Sequence, residues 1–111
     1  MMLAATSAVQ VCLNPIDFRK SIDALALLVS SQLHADPLSG TRYVFFNRGL
    51  DKIKVLHYDR HGFWLCYKRL ARGRFVLPRL SELTYLDLQL VLEGIDLSVR
   101  RLPNVQAKRV A

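Results

Sequence analysis

Cysteine is scarce in this chain, and the two present, Cys12 and Cys66, form no CxxC pair. That spacing excludes a redox dithiol centre and a cysteine-ligated zinc module. It suits reduced, buried thiols in a cytosolic protein; a disulfide between them has no support from a secretory signal. Long hydrophobic runs are missing too. The stretch Ala24 to Val29 is far too short to cross a bilayer, and MMLAATSAVQVCL lacks the basic start and long apolar centre of a signal peptide. A soluble, cytoplasmic protein without membrane contact is expected. Acidic residues are also few, 9 against 16 Lys+Arg, which leaves a net charge of +7. Such an excess favours polyanionic partners, nucleic acid ahead of an anionic membrane.

The constellations that carry catalysis are absent as well. There is no GxSxG elbow, phosphate loop or dinucleotide fingerprint. His57 and His61 are four apart, but on a strand and in a turn that spacing does not bring two imidazoles around one ion. Two-metal chemistry needs clustered carboxylates. Asp17, Asp23, Asp51 and Asp59 are available, yet Asp51 and Asp59 flank turns and Asp17 suits a helix start. Cys66 lies between Leu65 and Tyr67 in a strand-like run, the setting of a packed thiol rather than a nucleophile. Neither an active site nor a cofactor is expected.

What is present is a 51% hydrophobic chain of 111 residues, enough for one compact core but short enough that a homodimer or a partner would help to complete its stability. A short strand is expected over residues 8–13. Asn14 and Pro15 then read as cap and first residue of a helix running to about Leu33, with Phe18, Ile22, Leu25, Leu28 or Val29, and Leu33 on one face. Residues 42–47, 52–59, 63–70 and 74–77 read as strands joined by short turns at Asn47–Asp51, Arg60–Gly62 and Ala71–Gly73, with Gly62 offered for positive φ. Short loops imply an antiparallel meander. Thr84 with Asp87 forms a capping-box start and Gly94 a stop for a last helix, with Leu83, Leu86, Leu90 and Val91 toward the core. The expected fold is α+β: an N-terminal helix, an antiparallel meander of about four strands, and a C-terminal helix packed on the sheet. Residues 1–96 form one domain in this reading, and 97–111 a basic, disordered tail.

The charge is regional. Residues 42–79 hold ten basic side chains against Asp51 and Asp59, a net +8, while the remainder is close to neutral. In Lys68 to Phe75 four cations surround a glycine turn, a hairpin that would lay guanidinium and N–H groups along phosphates. Lys52, Lys54, Lys68, Arg69, Arg72 and Arg74 are the expected phosphate-contacting residues. Tyr43, Phe45, Phe46, Tyr58, Phe63, Trp64, Tyr67 and Phe75 interleave with these cations; they either stack on unpaired bases or form the core face of the sheet.

The segments PIDFRKSIDALALLV, DPLSG, NRGLDKIKVLHYDRHGFWLCYKRLARGRFVLP and LQLVLEGID resemble the TnpB, or second-open-reading-frame, accessory family of large bacterial insertion elements. That family is distinct from the RNA-guided nuclease of the same name. The resemblance spans about Val9 to Asp96. Its specific parts are the block from Lys68 to Phe75 and the run from Asp51 to Leu56; Ser21, Cys66 and Leu77 depart from the family's glycine, large residue and tryptophan. It implies a non-enzymatic factor required for DNA transposition. A separate DDE-type transposase and another small element-encoded protein would be its partners, and there is no catalytic residue to carry over. Two mechanisms remain open: direct contact with element DNA, or a protein–protein adaptor bridging the transposase and the other small protein.

Overall fold

Five consecutive buried residues, Arg42–Phe46, form the middle strand of the sheet, and both of its faces are covered. In the computed structural model, which describes residues 8–98, the elements run β1 (Val9–Val11), α1 (Ile22–Ser31), β2 (Arg42–Phe46), β3 (Lys52–Asp59), β4 (Gly62–Arg69), β5 (Glu82–Leu83) and α2 (Tyr85–Leu92). The sheet order is β4-β3-β2-β1-β5. β1 pairs parallel with β2 and antiparallel with β5, and β2, β3 and β4 pair antiparallel in sequence. The class is thus α+β, as expected, and β2, β3 and β4 are three of the four strands expected in the meander. The sheet as a whole is mixed and five-stranded, and the first helix follows β1 instead of opening the fold. A strand, a helix and a parallel neighbouring strand make a crossover, which a short loop cannot supply.

The first helix begins later than its periodicity suggests, and the reason is local. After β1 the chain keeps running beside β2: Cys12 N–H donates to Val44 O at 2.8 Å and Ile16 N–H to Phe46 O at 2.9 Å. Ile16 is therefore held as a bridge to Asn47 and is unavailable to a helix. Asp17 then accepts from the Arg19 backbone N–H at 2.9 Å and from its guanidinium at 2.6 Å, closing a turn through Lys20. Helix α1 starts only at Ile22, behind Ser21, so Asn14 is not its cap. Leu25 and Val29, four residues apart, are fully buried.

The helices lie on opposite faces of the sheet. Leu25 and Val29 pack with Cys12, Ile16, Tyr43, Phe45 and Leu56, whereas Leu88 and Val91 of α2 pack with Val9, Val11, Val44, Phe46, Ile53, Val55 and Phe75. Successive strand residues point to opposite faces, so two apolar faces require two covers. The capping box is present, with Asp87 N–H donating to Thr84 Oγ1 at 3.0 Å and Thr84 N–H to Asp87 Oδ2 at 3.3 Å. Gly94 takes φ 82 at the other end. Leu88 and Val91 form the buried stripe; Leu86, expected in the core, is 59% exposed.

Two turns differ from expectation. The β3–β4 turn puts positive φ on Arg60 (44°) and His61 (77°), not on Gly62. Residues 74–77 form no strand. After Leu70 N–H donates to Asp51 O at 2.8 Å, the chain turns at Gly73 (φ 76°), and Phe75 N–H donates to Leu50 O at 2.7 Å. Phe75 then drops into the α2-side core, edge-on to Phe46 at 6.1 Å. The chain is committed to crossing the end of the sheet, and the fifth strand comes later, at Glu82–Leu83 beside β1. Leu97 still packs into the α2-side cluster, and the basic tail expected beyond it lies outside the described residues after Ser98.

Candidate nucleic-acid interface

The cations divide into those the fold withdraws and those it presents. Lys54 is withdrawn. On β3 it faces α1, opposite Tyr67, and its ammonium donates to Phe18 O at 2.9 Å and to Lys20 O at 2.7 Å. The same Nζ sits 4.9 Å from the Phe18 ring centre and 5.4 Å from that of Tyr67. Only 6% exposed, it has its pKa pushed below the ordinary lysine value by burial. It acts as a bolt holding the turn before α1 against the sheet, two of its three N–H groups spent on carbonyls and the rest shielded by rings and burial from any phosphate. Arg42 is withdrawn at the opposite end of the sheet, 1% exposed, with burial lowering its pKa. The +8 of residues 42–79 is therefore not all surface charge.

The remaining expected contacts gather at one end of the sheet. Lys52 and Arg69 are directly opposed in the β3–β4 ladder. Like charges side by side repel in a sheet unless a counter-charge or an external anion sits nearby. Asp51 is the adjacent carboxylate: hydrogen bonding from Asn47 pulls its pKa down, with the charges of Lys52 and Arg69 contributing less. Lys68 is exposed and donates to Leu92 O at 2.7 Å, closing the carbonyl end of α2. Arg72 and Arg74 are exposed in the loop, not on the arms of a hairpin. The bonds from Leu70 to Asp51 and from Phe75 to Leu50 pin that loop beside the β2–β3 turn.

Arg48, absent from the expected contacts, joins this end. It is exposed in the turn Asn47–Asp51, and its charge is felt by Asp17, whose pKa is held well below the carboxylate range chiefly by Arg19. The signal was its place four residues before Lys52, in the turn that any β2–β3 hairpin must have. Asn47 organises that turn, accepting from Asp51 N–H at 3.0 Å and Lys52 N–H at 2.9 Å and donating to Asp51 Oδ1 at 2.6 Å.

Of the interleaved aromatics, Tyr43, Phe45, Phe46 and Phe75 are core. Tyr58 and Phe63 pack edge-on at 5.0 Å, leaving Trp64 and Tyr67 as the exposed rings, 47% and 55%. Among the described residues no three His, Cys, Asp or Glu side chains converge on a metal-sized site, and no helix is long and apolar enough to cross a membrane. Cys12 is buried, its thiol pKa raised by that burial; Cys66 is half-buried against the α2-side cluster.

No solved structure matches this chain at a significant level. Sequence relatives are found. An uncharacterized protein, y4jC, of Sinorhizobium fredii (strain NBRC 101917 / NGR234) is 31% identical over 108 residues, covering 93% of this chain and 92% of the relative. A second, y4hO of the same strain, is 38% identical over 84 residues, covering 72% and 73%. The family described as IS66 Orf2 like protein (TnpB_IS66) matches residues 7–101, nearly every residue of the fold just described, and the chain belongs to that family.

Proposed function

We propose that this protein serves transposition by gripping element DNA through the basic end of its sheet, formed by Arg48, Lys52, Lys68, Arg69, Arg72 and Arg74. Family membership implies the accessory role in transposition. The DNA contact rests on one observation: two main-chain bonds, Leu70 to Asp51 and Phe75 to Leu50, fasten the arginine loop beside the β2–β3 turn, so cations from three segments share one surface. In this reading Lys54 stays behind that surface and supports it. The site is cytoplasmic, the work is binding and not catalysis, and the neighbours are the transposase and the element's other small protein.

Six phosphate contacts give a salt slope of about −5, so affinity for element-end DNA should fall roughly a thousandfold between about 50 and 200 mM salt. In a mobility-shift titration, Arg69→Ala with Arg74→Ala should reduce that slope by about 2 units. Binding indifferent to salt, or unchanged in the double variant, would show that the surface is not the contact.

The adaptor reading is favoured by different residues. Leu80 and Leu86 are 55% and 59% exposed, and a helix that shows leucine to solvent offers an apolar foothold to another protein. Its mark is transposase binding that survives high salt and is lost in Leu86→Asp.

A further inference from the structure

We propose that β4 is a dimerisation edge, and that its partner is a second copy of this chain paired antiparallel to it about Cys66. The inference does not rest on DNA contact, although Lys68 and Arg69 belong to both surfaces. It begins with an edge that the fold leaves unblunted. Among the described residues β4 pairs with β3 alone, and the register from Lys52↔Arg69 to Asp59↔Gly62 runs through eight pairs without a bulge. No proline interrupts it. Soluble proteins usually shorten, kink or cover such edges, because a row of open N–H and C=O groups templates another strand. The opposite edge, β5, is two residues long. With one long edge among the described residues, pairing closes as a twofold dimer and does not propagate.

The pairing pattern selects a register. A two-residue turn makes Asp59 and Gly62 a hydrogen-bonded pair. Alternation then directs the backbone groups of Gly62, Trp64, Cys66 and Lys68 to β3, and those of Phe63, Leu65, Tyr67 and Arg69 outward. An antiparallel register engages all four outward residues when Phe63 meets Arg69 of the second copy and Leu65 meets Tyr67. It supplies about eight main-chain hydrogen bonds and puts Cys66 on the twofold axis.

The side chains of β4 are complementary to themselves in that register. Phe63 and Trp64 stand at one end, and the two cations Lys68 and Arg69 at the other. Antiparallel pairing therefore sets Lys68 against Trp64 and Arg69 against Phe63 of the second copy, two cation-on-ring contacts repeated by symmetry. The two Lys68 groups are then about 13 Å apart and the two Arg69 groups about 20 Å, beyond a Debye length of about 8 Å. Parallel pairing would stack each cation on its own copy and is disfavoured. The exposed rings of Trp64 and Tyr67 lie on opposite faces of the sheet, and each would be met by a residue of the second copy, Trp64 by Lys68 and Tyr67 by Leu65.

Sedimentation equilibrium of the full chain across the micromolar range should show a reversible monomer–dimer equilibrium. Trp64→Lys sets ammonium against ammonium twice and should weaken the dimer by about tenfold or more, with an unchanged circular dichroism spectrum. Adding Lys68→Glu to that variant should restore dimerisation. In the unmodified protein, amide exchange at Phe63, Leu65, Tyr67 and Arg69 should slow as concentration rises. A monomer throughout, an open-ended polymer, a dimer indifferent to Trp64→Lys, or protection gained at another surface would each overturn the proposal.

Discussion

His57 and Lys54 sit on the same strand, three residues apart, and both are 6% exposed, yet burial means something different for each. Lys54 takes its partners in with it, two carbonyls and two rings, and remains a satisfied cation. His57 lies across the ladder from Trp64 and within reach of the charge of Arg42, with Nδ1 unpartnered. Burial, and after it the charge of Arg42, lowers its pKa below the ordinary 6.5; Asp59 and the carbonyls of Gly40 and Thr41 only partly offset this. The sign of the pH effect follows. Below about pH 6.5 the unfolded chain takes up a proton that the folded chain refuses until more acid conditions, so the fold loses stability as pH falls through that window and keeps it above. The thermal midpoint should therefore drop between about pH 7.5 and pH 5.5, and His57→Gln should flatten that part of the curve. Equal slopes for the two proteins would remove His57 as the origin.

At the scale of elements, the β3–β4 turn is a site where sequence and geometry disagree. Both central residues of this two-residue turn have positive φ, a conformation suited to Asn-Gly and unsuited to Arg60-His61. Arg60→Asn with His61→Gly should raise stability by about 1–2 kcal/mol, read from urea midpoints at constant slope. A loss of stability would mean that those side chains do more than span the turn. This turn also shows what could be read from the chain in advance. Its position was legible, because Arg60-His61-Gly62 breaks two alternating runs, but which residues bend was not, since glycine's permissiveness is only a permission. The capping box of α2 was legible because it is a local bond pattern. The start of α1 and the fate of residues 74–77 were not: Ile16 is claimed by β2 and Phe75 N–H by Leu50, competitors far away in sequence. The basic end was half legible for the same reason. Arg72 and Arg74 are exposed as their composition suggested, whereas only the packing of Phe18 and Tyr67 against β3 explains why Lys54 is not.

For the molecule as a whole, the mixed sheet ranks its own parts. β2 has paired neighbours on both sides and a helix over each face, while β5 is a two-residue edge. Amides of β2 should exchange most slowly and those of β5 markedly faster; the reverse order would contradict the sheet topology. The same topology imposes a timetable on assembly. β2, β3 and β4 are joined by turns of a few residues and can zip together unaided. β1 precedes its parallel neighbour by about thirty residues and its antiparallel neighbour by about seventy, so closing both loops is entropically slower. During synthesis β1 emerges ahead of both the strands that flank it, and must wait while the meander forms behind it. Until Glu82 and Leu83 arrive, its outer edge is open, and the nascent chain is most exposed to mispairing at the strand that ends up inside the finished sheet.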